Sequence, residues 1–358
     1  MRLRKAQSAI EYLMTYGWML LVVAVVGGAV FSIVSGQNID SVSGFDSSHI
    51  LVSDFGITSS SLQMVVEGGS QSITLNQITI SDSEDEIVIP MEDNVDFRNS
   101  RVLNIPHITE SSETKTIDVE LSYDTENLEN ITATGAVTGN LELDQSLIGY
   151  WTLSENQANS THVFDVSGNN NHGEIIGSPS WDKNRKKDPV RFHGDESIVI
   201  PHSEDFDAFD GDFTVIHWGS SFENNRHGKV LKKERVFSDS RPGWAFGPAG
   251  SPQELYFTKS EGDDDDNRMN MDLPREHELT FIAGVVEGEE ITGYLNETQV
   301  ESETYSGDFN SNNPIVIGSE NVEQRFLNGT IGNVMIYDRA LTDEEIRSIY
   351  RNPPLVLN

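Results

Sequence analysis

The apolar positions of this chain fall into two regimes. Between Tyr12 and Val34 they run together, and 23 residues pass without a charge. Arg2, Arg4, Lys5 and Glu11 precede the run and Asp40 follows it. Helical rise makes that stretch roughly 34 Å long, enough to cross a bilayer. The basic flank predicts a cytoplasmic start, with everything after Gly36 outside. From residue 37 onward the apolar residues come in short β-branched runs: Ile50–Val52, Leu62–Val66, Ser72–Leu75, Gln77–Ile80, Glu86–Ile89, Arg101–Leu103 and Thr116–Leu121. Gly, Ser and Asn separate them, and the spacing predicts a small antiparallel sandwich over 37–145. Beyond Leu147 alternating runs recur with turn signals between them, as when two antiparallel sheets bury one shared core. Near the end, Thr342 and Glu345 spell the capping box of a short helix.

Composition narrows the function classes. The 358 residues suit about two domains beyond the apolar run. The absence of cysteine excludes disulfide frameworks, Cys-ligated zinc, iron–sulfur clusters and thiol nucleophiles. Acids outnumber bases 58 to 24, and a net charge of −34 argues against a nucleic-acid partner, because phosphates repel such a surface. Both blocks carry the acidity together with abundant Val, Ile, Leu and Phe, so disorder does not explain it. An acid-rich, Lys-poor chain reads as a salt-loving extracellular protein, since high salt screens self-repulsion. An acidic protein of an ordinary habitat is the alternative.

Glu11 is the residue that a plain reading of the apolar run leaves unexplained. A carboxylate there is costly both in a cleaved secretory signal and in a simple signal-anchor. The segment Arg4-Lys5-Ala6-Gln7-Ser8-Ala9-Ile10-Glu11-Tyr12-Leu13 resembles the class III signal peptide of archaeal type IV pilin-like proteins. The resemblance implies a prepilin peptidase cutting between Ala6 and Gln7, a basic leader over 1–6, a hydrophobic helix over 7–36 and a β-sandwich head over 37–145. It also implies assembly with copies of itself or with other pilins, as an extracellular filament at the cell surface, after a membrane-inserted stage. Glu11 would then be the fifth residue of the mature chain, where it can pair with the new α-amino group of a neighbouring subunit. Gly27 and Gly28 allow close helix approach.

The C-terminal block carries a second resemblance. Leu147–Leu153 followed by Phe164-Asp165-Val166-Ser167-Gly168-Asn169-Asn170-Asn171-His172-Gly173 resembles the opening of a laminin-G-like, concanavalin A-like jelly roll. Val190–Gly194, Ser197–Pro201, Asp212–Trp218, Ile282–Val286, Ile291–Asn296 and Gly329–Ile346 match the later strands and closing helix. The pattern departs at Glu297, where glycine is usual, and at Gly332 and Asn333, where acids are frequent. The fold class expected is therefore mainly β: an N-terminal hydrophobic helix, a small sandwich, then a jelly roll over 146–352.

The resemblance implies a glycan or a surface protein as ligand, sometimes with Ca²⁺. Asp165, Asn169 and Asn170 offer the hard oxygens that Ca²⁺ prefers, in a glycine-containing turn. The competing reading is that Asp165 caps its own turn. Acidic stretches at 81–86, at Asp205, Asp207, Asp210 and Asp212, and at Asp263–Asp266 read as solvated loops rather than cation sites. No Glu-x-Asp-x-x-Glu-like arrangement on a plausible strand, no G-x-S-x-G, no H-E-x-x-H and no P-loop is present, so no catalytic residue is expected. Four sequons, at Asn130, Asn159, Asn296 and Asn328, are candidate glycosylation acceptors. A membrane-anchored lectin-like adhesin that never polymerises is the alternative function, and a secreted glycan-processing enzyme is a more distant one.

Overall fold

The structure, a computed structural model, describes residues 39–45, 49–95, 100–154, 158–182, 189–220, 230–234, 243–248, 254–259, 268–272, 279–304, 309, 311–321 and 324–353. Ala6, Gln7, Glu11, the expected helix over 7–36 and the Asp263–Asp266 run lie outside the described residues. Among the described residues no helix is long and apolar enough to cross a membrane.

The head is built from two antiparallel sheets. Five strands run in the spatial order Ile39–Gly44, Ile131–Leu143, Ile108–Thr125, Ile73–Ser81, Glu86–Val95. Three more, Ile50–Ile57, Leu62–Gly68 and Ser100–Ile105, form the second sheet. Alternation decides which face is buried: Ile73, Leu75, Ile78 and Ile80 enter a shared core with Leu62, Met64, Val66 and Leu103. The runs Ser72–Leu75 and Gln77–Ile80, separate in the sequence reading, are one strand with a register shift between Leu75 and Gln77. Leu75 and Ile78 are both buried although three residues apart, which strict alternation forbids; a bulge absorbs the extra residue. Likewise Thr116–Leu121 is the middle of a longer strand, Ile108–Thr125, with an irregularity between Glu110 and Thr114.

The second sandwich holds two larger sheets. In one, Phe213–Ser220 lies between Thr280–Glu287 and Asn328–Tyr337. In the other, Ser197–Ile200, Ile315–Ile317, Leu231–Glu234 and Gly243–Pro248 pair in that order. Phe213 and Val215 point to the core between the sheets, with Ile198, Ile317, Trp244 and Phe246. Ile216 points the other way. It shares the head's core cluster with Phe281, Met335, Ile346 and Ile349. The central strand therefore carries apolar residues on both faces, one against the opposite sheet and one beneath helix α1 (Asp343–Arg351) and the head. Of the four tryptophans here, Trp151 and Trp244 are fully buried and Trp181 and Trp218 half-buried. Helix α1 starts as its sequence predicts: Glu345 N donates to Thr342 Oγ1 at 3.3 Å, and Thr342 N donates to Glu345 Oε2 at 2.8 Å.

Candidate functional site

Asp165 is 1% exposed, and both its oxygens are occupied. Oδ1 accepts from the backbone N–H of Tyr150 and of Ser167, each at 2.9 Å. Oδ2 accepts from the Ser167 hydroxyl and from Asn171 N, also at 2.9 Å. Burial pushes the carboxyl above its ordinary value while these donors pull it back. The asparagines follow the same logic: Asn169 Nδ2 donates to Leu147 O at 3.1 Å, and Asn171 Nδ2 to Ile148 O at 3.0 Å and to Asp205 Oδ2 at 2.8 Å. Asn170 is exposed in the left-handed region at φ 61. Both Asp165 oxygens proposed for Ca²⁺ thus face N–H and O–H donors, as in a turn cap. Among the described residues no group of three or more His, Asp or Glu side chains could hold a metal. The turn instead ties the strand Leu147–Trp151 to the loop beyond it, and Trp151 Nε1 closes the knot on Asn171 O at 2.8 Å.

This turn also meets the head. Gly168, at φ +98, lies where a Cβ would stand 3.1 Å from Ile87 Cγ2 and 3.2 Å from Val88 O, so both its conformation and its contact favour glycine. His107, in the left-handed region at φ 70, sets Nδ1 2.8 Å from Asp144 O, and burial holds its pKa below the ordinary histidine range. Asp144 Oδ2 in turn receives Arg339 Nη2 at 2.7 Å, while Glu345 Oε1 receives the same nitrogen at 2.6 Å. Arg339 Nε donates to Ser146 Oγ at 2.9 Å. Burial alone would raise Asp144; the Arg339 and Ser146 bonds outweigh it and hold the carboxyl low. An open cavity of about 490 Å³ lies here, lined by Thr109, Glu110, Glu142, Asp144, Arg339 and Glu344 among others. Glu110 in it is pushed up by burial and by the nearby Glu344. Ser60 Oγ adds a bond to Ser348 Oγ at 3.0 Å, between head and α1.

Two further polar sites stand out. Lys233 is buried beneath the 3₁₀ turn Glu204–Asp210, its ammonium 5.9 Å from the Phe206 ring and 5.7 Å from that of Phe209. It donates to Ser311 O and, at 3.1 Å, to Asn313 O, with His202 Nδ1 at 3.3 Å. Burial draws its pKa down to about 8. His202 reaches Asp207 at 3.4 Å, Asp205 serves Asn171, and Asp212 Oδ1 accepts from Gly288 N at 2.7 Å. Asp205, Asp207 and Asp212 are thus divided among separate structural partners. The other site is the outward face of the five-stranded head sheet. It forms an open groove of about 630 Å³ lined by Gln77, Thr79, Ser81, Glu86, Asp118 and Glu120 among others. Sequence reasoning missed this groove, although the polar alternates of Ile73–Ser81 announce it.

The four sequons differ in presentation. Asn130 and Asn159 are exposed, whereas Asn296 and Asn328 are half-buried. The side-chain oxygen of Asn296 accepts from Phe281 N at 3.3 Å and that of Asn328 from Arg191 Nη2 at 2.6 Å.

Residues 192–347 match the family model Laminin_G_3 of the concanavalin A-like lectin/glucanases superfamily. They form a concanavalin A-like domain. No curated protein matches the chain. Several solved structures are similar in part. The binding domain of botulinum neurotoxin DC, in a complex with SialylT, is 15% identical with a TM-score of 0.46, covering 57% of this chain and 51% of that one. The binding domain of Paraclostridial Mosquitocidal Protein 1 is 17% identical with a TM-score of 0.44, covering 57% and 52%. A Trypanosoma rangeli sialidase is 10% identical with a TM-score of 0.46, covering 85% and 54%. The chain spans about half the length of these structures.

Proposed function

We propose that this chain is a subunit of an archaeal type IV pilus-like surface filament whose concanavalin A-like domain is an adhesive module for a glycan or a surface protein. The observation that carries the filament reading is Glu11, a carboxylate at the head of a 23-residue uncharged run, five positions after the Ala6–Gln7 junction. A buried carboxylate in lipid needs a partner, and a free α-amino group at Gln7 of a neighbouring copy supplies one. The adhesive reading is supported by the matched domain at 192–347. Membrane insertion before assembly, cleavage by a prepilin peptidase and outward projection of the domain follow from the same reading.

The test is the mature amino terminus of protein sheared from the surface of producing cells, determined by mass spectrometry. A chain beginning at Gln7 supports processing and assembly. One beginning at Met1 points to a tethered adhesin, and one beginning near Gly36 to a secreted protein; either result removes the filament reading.

A further inference from the structure

A sequon is chemically competent only where the fold leaves its asparagine amide and its hydroxyl within reach of a transferase, and the four of this chain are not equal. In Asn159-Ser160-Thr161 all three residues are exposed and lie outside the strands, with the Thr161 carbonyl tied to one by Ile175 N at 2.8 Å. Asn159 Oδ1 accepts from Thr161 N at 2.8 Å, Thr161 Oγ1 at 3.0 Å and His162 N at 2.7 Å. Three donors on the carbonyl oxygen fix the carboxamide plane, and among the described residues no hydrogen bond engages Nδ2. Asn328-Gly329-Thr330 is the opposite case. It lies in the strand Asn328–Tyr337, with Asn328 opposite His193 and Thr330 opposite Arg191. Thr330 is 1% exposed, and Asn328 Oδ1 is held by Arg191 Nη2 at 2.6 Å. Asn296-Glu297-Thr298 forms a tight turn whose Asn296 bonds Phe281 through both backbone and side chain, with Arg351 fixed on Glu297 at 2.5 Å. Asn130 and its Thr132 are both exposed, but the backbone of Thr132 is held in a ladder opposite Ser122, and Asn130 N donates to Asp124 Oδ1 at 2.7 Å.

We propose that Asn159 is the N-glycosylation acceptor that the folded chain presents, and that Asn296 and Asn328 are closed by the fold. The donor is an oligosaccharide carried on a lipid phosphate. Asn159 Nδ2 forms a bond to the anomeric carbon, the carbon–oxygen bond to the phosphate breaks with its electron pair leaving on the lipid phosphate, and the amide proton passes to a base of the transferase. A saccharide there projects from the loop that follows the strand Leu147–Trp151, clear of the buried Asp165 turn.

The experiment uses the full chain in detergent micelles, once folded and once unfolded in urea and diluted into the assay. Each is incubated with a purified oligosaccharyltransferase and its lipid-linked oligosaccharide, and occupancy at each sequon is read from glycopeptides. The folded chain is expected to carry glycan at Asn159 at least about tenfold above Asn328 and Asn296, and the unfolded chain to bring Asn328 and Asn296 towards the level of Asn159, because exposing a paired strand costs free energy that sequence alone does not. Asn159→Gln should remove one glycan mass from the folded chain, and Asn328→Gln none. Equal occupancy of the sequons in the folded chain, or an unmodified Asn159 there, overturns the proposal.

Discussion

Arg339 Nη2 lies 2.7 Å from Asp144 Oδ2, joining the end of the last long strand to the last residue but one of the head's final segment. The same guanidinium holds Glu345, which also caps α1, so one side chain ties together the junction, the final strand and the closing helix. Arg339→Met keeps much of the stem's volume and removes all of these bonds. Because the side chain is 34% exposed, the loss should fall below that of a fully buried pair, at about 1–3 kcal/mol. Urea denaturation at neutral pH measures it. The pH dependence has a definite sign: Asp144 is held below its ordinary 3.8, so its contribution is present above that pH and is lost as pH falls through the lower folded value. In Arg339→Met that part of the acid limb should vanish.

His217 is fully buried and, among the described residues, has no hydrogen-bond partner on either ring nitrogen; its ring lies 4.8 Å from that of Phe246. Burial depresses its pKa from 6.5 to about 3. Between those values the unfolded chain binds a proton that the folded chain does not, so stability is full above pH 6.5 and falls as pH drops through that window. His217→Leu should hold or raise stability at neutral pH, by up to about 2 kcal/mol, since two unsatisfied buried polar atoms disappear. It should also flatten the decline below pH 6.5, leaving the part due to His107, which burial depresses in the same direction. A steeper decline would place a partner on the ring.

Asp165→Asn tests whether the D-x-S-G-N turn is a knot or a metal site. The substitution sets an amide NH₂ against N–H and O–H donors from Tyr150, Ser167 and Asn171 and should cost about 2–4 kcal/mol. Ca²⁺ should leave the thermal midpoint of the unaltered protein unchanged, because ligand that binds only the folded state would raise it. A midpoint rising with Ca²⁺ and insensitive to it in Asp165→Asn would restore the metal reading.

Much of this fold was legible. Alternation in Ile73–Ser81 and the β-branched runs announce the head, and Thr342 with Glu345 announces the start of α1. What escaped was non-local. Nothing in the sequence near Leu75 marks a bulge, because its cause is the partner strands' registers. Asp165 carries the same oxygens whether it binds a cation or caps backbone, and the positions of Tyr150 N, Ser167 N and Asn171 N, far apart or unmarked in the sequence, favour the cap. The junction of Arg339 with Asp144 spans 195 residues of sequence, beyond any local pattern. Sequons look alike in sequence for the same reason: Thr330 is closed by a strand and Thr161 is left open by a turn.

Glu11→Ala separates the filament reading from a simple anchor. The substitution removes a charge from an apolar segment, so insertion into the membrane should improve rather than fail. The head's core, which also takes in one face of the concanavalin A-like domain, begins at Phe45, and the core between that domain's sheets begins at Ile148, both well past this segment, so their thermal midpoint should not move. Assembly should nevertheless stop if the carboxylate pairs with the α-amino group of a neighbouring Gln7, since the partner would be left as an unpaired charge in lipid. The readout is the fraction of the chain recovered in sheared filaments against the fraction retained in membranes. The expected result is a shift from the first to the second with the head and the concanavalin A-like domain still folded. Filaments of normal yield and length from Glu11→Ala would mean that the carboxylate has no part in assembly.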